Sequence, residues 1–444
     1  MKLDQHKIMN KECNHERLRI LVVAGQIYDE DYVMAGGHVT GLAVMLKDIY
    51  NGVSEKADCR ILVTNIPLLS HKVGKMEIVS AFNGKAMYLQ FGIAAVLNFI
   101  IDILKYRSIR KSKDKLLERK SRSLFIDLLT QWKPAVVNFH DFSYVNSQYI
   151  RECLARGIKC VVTLHLYVGK DSKSYGYDNL KTNEEDIMPI DGIYYSVVSS
   201  GIKKRILKDY PNIHPDNIYV IVNGSNFIDT PRKVVQRKKL LCIGSVCERK
   251  NQIQIVRAVK LMTEEERSKL QIIFLGEDFK GKLTKAIKIA KCGDSLLFKG
   301  KVPLSEMESI YENAFGTITT SLNEGFGLTI IEGYSRGIPG MFYKDLDSFE
   351  DLYSPRVAIG VSDHSDVTLK NSILGFISKE WNSEEIIDFS KRFSMKPVYD
   401  KYINMYRELS NETSIVNKPL MGGGKLSEEC RIVAMCAPTE RRCA

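Results

Sequence analysis

The chain is predicted to be an α/β protein with two parallel sheets, each in a domain of its own. Three observations lead there. Short β-branched apolar runs alternate with longer helical patterns, which is how parallel strands joined by crossover helices read in sequence. The 444 residues are too many for one ordinary core. A polar, basic link, Pro231 to Lys239, follows the turn-forming pair Asn223-Gly224 and separates two series of strands. In the first series Ile20 to Ala24, Ala135 to Phe139, Cys160 to Leu164, Ile193 to Val198 and Ile218 to Val222 read as strands. In the second, Leu240 to Ile243, Ile272 to Leu275, Leu296 to Phe298 and Gly316 to Thr319 do. Open parallel sheets take ligands at the carboxyl ends of their strands, so two facing sheets create a cleft between the domains.

Composition narrows the function. A hydrophobic fraction of 44% with 26% charged residues is that of a soluble globular protein, while the net charge of +11 calls for an anionic partner. Met1 to Arg19 is polar and charged, without the apolar core of a signal peptide, so a cytoplasmic location is expected. The ten cysteines include no Cys-x-x-Cys pair, and Cys160 and Cys242 lie inside apolar runs. They read as reduced core thiols rather than disulfides or zinc ligands.

The segment from Glu324 to Glu332 sets two carboxylates eight positions apart around a Gly325-Phe326-Gly327 turn that leads into a helical run. Amides freed at Gly325, Gly327 and Leu328, with the positive end of the helix, suit a diphosphate. Glu332, about one turn into that helix, can accept two hydrogen bonds from a ribose diol, while Glu324 faces a sugar. The simpler alternative is a solvated helix start that favours acids. Elsewhere, Gly36-Gly37-His38 precedes a helical run over Val39 to Ile49, and its paired glycines permit close backbone approach. This is not the spaced Gly-x-Gly-x-x-Gly of a dinucleotide fold. His140-Asp141 and His165 each follow a strand of the first series. Gly244 to Asn251 lies between a strand and the helical Gln252 to Met262, and there Arg249 and Lys250 offer positive charge for a diphosphate leaving group. A solvated loop pair is the alternative. No dense Asp/His cluster suits magnesium, so no metal cofactor is expected.

Taken in order, these segments resemble the retaining glycosyltransferases of family 4, which have the GT-B architecture of two facing Rossmann-like domains. The resemblance spans roughly Arg19 to Leu409. It is strongest over Glu324 to Glu332 with Gly337-Ile-Pro339. Supporting segments are Gly36-Gly37, Lys133 to His140, Val198 to Ser200, Val220 to Gly224, Gly244 with Arg249 to Asn251, Phe274 to Gly276, and Phe298 to Val302. It implies an acceptor-binding domain over 1–224, a nucleotide-sugar domain over 225–390 and a helix over 391–409 that crosses back, with 410–444 a tail of no assigned function. It also implies that Lys250 binds the diphosphate and Glu332 the ribose. Glu324, with the amides of Phe326 and Gly327, would hold the sugar, and backbone around Val302 the base. Gly37 and His140 would lie near the diphosphate and the reacting sugar. Relatives usually carry arginine where this chain has Ser245, and Arg249 is expected to substitute.

The resemblance further implies transfer from a nucleotide-diphosphate donor, UDP-linked, to a lipid-linked or oligosaccharide acceptor in bacterial surface polysaccharide synthesis. The alternatives are a nucleotide-sugar 2-epimerase of the same architecture and a non-catalytic partner subunit. Ala86 to Leu104 is the one long apolar stretch; Gln90, Asn98, Asp102 and Lys105 recur along it at helical spacing and predict a polar stripe rather than a bilayer span. From Lys105 to Arg122, nine basic residues stand against Asp114 and Glu118, a net charge of +7. An amphipathic helix beside such a tract predicts peripheral docking on an anionic membrane, the inner face of the plasma membrane, with a solvated basic helix as the alternative. Beyond Tyr106 the tract has no interleaved aromatics, so nucleic acid is not expected as a partner.

Overall fold

A computed structural model describes residues 17–34, 40–64, 70–80, 93–140, 147–225 and 238–416. The first sheet contains β1 (Arg19–Ala24), β2 (Asp58–Val63), β3 (His71–Val73), β4 (Met76–Ser80), β5 (Val136–His140), β6 (Lys159–Leu164), β7 (Ile193–Val197) and β8 (Ile218–Val220). Their order is β3-β4-β2-β1-β5-β6-β7-β8, parallel throughout except for the β3–β4 pair. The second sheet contains β9 (Lys238–Ile243), β10 (Leu270–Leu275), β11 (Leu296–Gly300), β12 (Gly316–Ile318), β13 (Gly340–Tyr343) and β14 (Ala358–Val361), in the order β11-β10-β9-β12-β13-β14. The expected α/β class with two parallel sheets is the observed one. Ile20 to Val23, Val136, Val137 and Phe139 are buried, as strands covered on both faces require.

Strand order locates the binding edge. In the first sheet it reverses between β1 and β5, and in the second between β9 and β12. Loops diverge at such switch points and leave a crevice outside the carboxyl ends. The loop after β9 therefore lies beside the loop after β12, although 75 and 74 positions separate Arg249 and Lys250 from the acid that both contact.

Several strands were not among those expected. β2 carries Arg60 in mid-run, where the charge pairs with Glu77 at 2.9 Å and lies over the Trp132 ring. β13 begins with a glycine and β3 and β14 are short, so none shows an alternating pattern long enough to read. His140 is the last residue of β5 rather than the first of the following loop. Lys238 and Lys239, read as link, belong to β9. The remainder of that link, residues 231–237, lies outside the described residues, as do Gly36, Gly37, His38 and Asp141. The free cysteines Cys59, Cys153, Cys160, Cys242 and Cys292 are buried as expected of core thiols, and Cys247 is exposed.

The Met395–Val416 helix returns from the second sheet to the first; it reaches beyond the expected end at 409, and residues 417–444 lie outside the described residues. Tyr402, Tyr406 and Leu409 join the core cluster of Ile20, Val22 and Tyr50. The Tyr406 hydroxyl is 2.9 Å from that of Tyr50, and the Asn138 amide donates to both, at 2.6 and 3.0 Å. A polar seam also joins the halves. Asp351 accepts from the Ser200 amide and hydroxyl at 2.8 and 3.0 Å, the Gly201 amide donates to the Asp347 carbonyl, and Arg205 pairs with the Asp347 carboxylate at 2.6 Å.

Between β4 and β5 stands a helical hairpin, Ile93–Tyr106 and Ile109–Asp127. Of the expected polar stripe, Asn98 and Lys105 are exposed, whereas Asp102 is not. Asp102 is 6% exposed and pairs inward with Arg119 of the second helix, because a lone carboxylate among aliphatic side chains needs a cation once buried. Gln90 lies outside the described residues. No described helix is long and apolar enough to cross a membrane.

The tyrosine bridge yields a stability prediction. Tyr406→Ala removes a buried ring and is expected to cost about 3–5 kcal/mol in urea denaturation. Tyr406→Phe keeps the ring, loses the hydroxyl contacts, and is expected to cost about 1 kcal/mol.

Candidate functional site

The second sheet builds the charged half of the site. Gly244 follows β9 at φ +134°, a conformation that glycine adopts without strain, and Lys250 lies over the place where a Cβ would stand. The loop then closes on its neighbour: Thr320 Oγ1 donates to the carbonyls of Lys250 and Asn251, and the Leu322 amide to the Arg249 carbonyl at 2.8 Å. Lys250 and Arg249 are thereby turned onto Glu324. Lys250 Nζ lies 2.5 Å and Arg249 Nη1 3.1 Å from the same carboxylate oxygen, Oε2, which also accepts from Ser321 Oγ. Arg249 Nε is buried without a hydrogen-bond partner, leaving one N–H of the guanidinium unused.

Burial pushes the Glu324 carboxyl up, but the charges of Lys250 and Arg249 outweigh it and hold the group at about 2. Glu324 is therefore an anion at any ordinary pH. Gly325 follows it with no room for a side chain, since an added Cβ would overlap the His165 carbonyl oxygen of the first half. Phe326 turns its ring into the core against Phe393, so only its amide serves the loop. Gly327, at φ +97°, precedes the Leu328–Tyr334 helix and frees the first amides of that helix.

Glu332 belongs to a separate hydrogen-bond set on that helix. Its Oε2 accepts from the Tyr311 hydroxyl at 2.8 Å. Here burial raises the carboxyl, with the Tyr311 bond and the Arg336 charge opposing it. Val302 lies just beyond β11, half-buried against the cluster that contains Tyr311, Ile273 and Leu275.

From the first half come the ends of β5 and β6. His140 is 2% exposed; its Nε2 lies 2.5 Å from the Tyr50 hydroxyl and its Nδ1 2.8 Å from Nε2 of His165, with the rings stacked. Burial, then the neighbouring His165, keep His140 well below the usual histidine range, and burial brings His165 down to about 3. Both imidazoles are neutral near pH 7. His165, not His140, is the partly exposed member of the pair, and its backbone meets Gly325. A loop from this half also reaches over the cations, with Tyr177 5.5 Å from the Arg249 guanidinium and Lys173 paired with Glu248.

The structure thus brings together Lys250, Arg249, Glu324 and Gly325, with Gly244 beneath them. Glu332 and Val302 stand in an adjoining set, His140 lies one layer behind, and Gly37 is outside the described residues. Tyr311, Ser321 and Tyr177 were missed, because each is one hydroxyl among many in sequence and gains its place only when the sheets assemble. His165 carried the same signal as His140, a histidine at a strand end.

Residues 226–392 match the family model described as "Glycosyl transferases group 1". The chain is 23% identical over 214 residues to the O-antigen chain mannosyltransferase RfbU of Salmonella typhimurium, covering 48% of this chain and 57% of that protein. It is 35% identical over 109 residues to the poly(glycerol-phosphate) alpha-glucosyltransferase of Bacillus subtilis, covering 24% of this chain and 16% of that one. The matches therefore span a little over half of the first relative and a small part of the second. In fold the chain is similar to the apo form of the lipopolysaccharide outer core galactosyltransferase WaaB, with a TM-score of 0.58 at 15% identity over 88% of this chain and 99% of that one. The second half thus matches the group 1 glycosyltransferase model, and the two-sheet architecture is the GT-B fold.

The neutral histidine pair leaves a pH signature. The unfolded chain takes up protons on both rings below about pH 6.5, whereas the folded chain does not, so stability falls as pH drops through that value. His140→Asn is expected to decline less steeply by about 1.4 kcal/mol per pH unit below about pH 5.5, measured by urea unfolding.

Proposed function

We propose that this chain is a retaining glycosyltransferase that moves a sugar from a nucleotide-diphosphate donor, UDP-linked, to a lipid-linked or saccharide acceptor in bacterial surface polysaccharide synthesis. One observation carries the reading: a single carboxylate shared by Lys250 and Arg249 at the switch point of the second sheet, pressed against the end of β6 in the first. In this reading residues 225–390 hold the donor and residues 1–224 the acceptor. Lys250, Arg249 with its unused N–H, and the amides of Gly325 to Leu328 receive the diphosphate. Glu332 takes the ribose hydroxyls, backbone near Val302 the base, and Glu324 the sugar hydroxyls. His140 positions His165 from behind, and Gly37 completes the phosphate side.

The chemistry follows from charge. As the anomeric C–O bond breaks, its electron pair leaves with the diphosphate while the sugar becomes oxocarbenium-like. The two cations stabilise the leaving group without a metal, and the acceptor hydroxyl forms the new bond and loses its proton. Retention is compatible with attack on the leaving group's own face or with a transient nucleophile. The meeting of the two halves at Gly325 excludes water that would otherwise hydrolyse the donor. A lipid-linked acceptor is met at an anionic membrane surface, beside the basic tract of residues 105–122.

Glu324→Ala and Lys250→Ala are each expected to lower transfer at least about tenfold with the urea midpoint little changed, and near-normal rates would remove that residue from the mechanism. A panel of nucleotide sugars read by thermal shift identifies the donor. The right one, at about one hundred times its dissociation constant, should stabilise the fold by about 2.7 kcal/mol, and no response to any member would refute the donor assignment.

A further inference from the structure

The Ile93–Tyr106 helix wears its apolar side outward. Leu97, Ile100, Ile101 and Leu104 are 55%, 48%, 57% and 73% exposed, and their spacing places them on one face. Ile109, 61% exposed, continues the patch past the turn. The inner side holds the Asp102–Arg119 pair, so the helix cannot roll to bury its aliphatic face without exposing that pair and losing its packing. Exposed cations follow the patch in the chain: Lys105 and Arg107 at the helix end and Arg122 on the second helix, with Lys115 paired to Glu118.

From this we infer that the outer face of this helix is inserted into the surface of an anionic bilayer. Leu97, Ile100, Ile101 and Leu104 enter the acyl boundary, and the basic residues behind them meet lipid phosphates. The buried Asp102–Arg119 pair on the opposite side makes the described helix two-faced, so it lies in the plane of the bilayer rather than across it. A second copy of the chain is the poorer occupant, because a face-to-face pair would set one tract of net charge +7 against another. The inference deepens the membrane contact of the proposed function and rests on that reading for its purpose, while its test needs neither donor nor acceptor.

The test is flotation with vesicles of phosphatidylglycerol and phosphatidylcholine, with sedimentation velocity run alongside. The wild-type chain is expected to float with these vesicles and to keep part of its binding in high salt, since the apolar contribution is not screened. The double variant I101Q/L104Q should lose at least about tenfold in bound fraction while its donor-induced thermal shift stays that of the wild type. Equal flotation of the two proteins would overturn the inference. So would a wild-type dimer that ignores vesicles and is dissociated by the same substitutions. Normal flotation with no response to any nucleotide sugar would sink the transferase reading and leave this one standing.

Discussion

Position 325 admits only a glycine, because any larger residue would overlap the carbonyl oxygen of His165. That contact sets how the halves of the chain meet. It presses the loop after β12 onto the end of β6 and brings the backbone next to Glu324 against that of His165. The Asn323 amide, donating to the Tyr167 carbonyl at 3.2 Å, holds the same approach from the neighbouring residue. Lys250 and Arg249 reach Glu324 from within the second sheet, so the charged cluster is assembled by one domain and capped by the other.

Within this small region four titratable side chains meet different fates for reasons of partner number. Burial alone would neutralise Glu324, yet two cations on one oxygen keep it anionic. Glu332 is also buried, but a neutral phenol and a single nearby arginine do not offset the loss of water, and its carboxyl rises. The imidazoles have no anion to favour their charged form, and both remain neutral. The resulting pattern is a fixed negative charge bracketed by positive ones, facing uncharged donors and acceptors.

The alternation of runs such as Val136–His140 and Lys159–Leu164 with helices made the fold class legible, since strands buried on both faces must be almost wholly apolar. The short or charge-bearing strands escaped notice: Arg60 in β2 is tolerated only because Glu77 and Trp132 lie beside it. Of the site, Glu324, Lys250 and Arg249 were readable as loop residues at strand ends, but not their convergence on one oxygen, which depends on the order β9-β12. Tyr311 had no local mark at all. The amphipathic character of the hairpin was legible from helical spacing, but not the pairing of Asp102 with Arg119, which depends on how the two helices pack.

The links between the halves differ in exposure. Arg205 pairs with Asp347, whose side chain is 7% exposed, and Asp351 takes two bonds from Ser200, while Lys173–Glu248 and Lys204–Glu350 pair with more than half of each side chain in water. Exposed pairs contribute little, and solvent replaces them readily. The buried Arg205–Asp347 contact therefore holds the halves together where dissolved ions do not reach it, whereas the Lys173–Glu248 and Lys204–Glu350 pairs weaken as ionic strength rises.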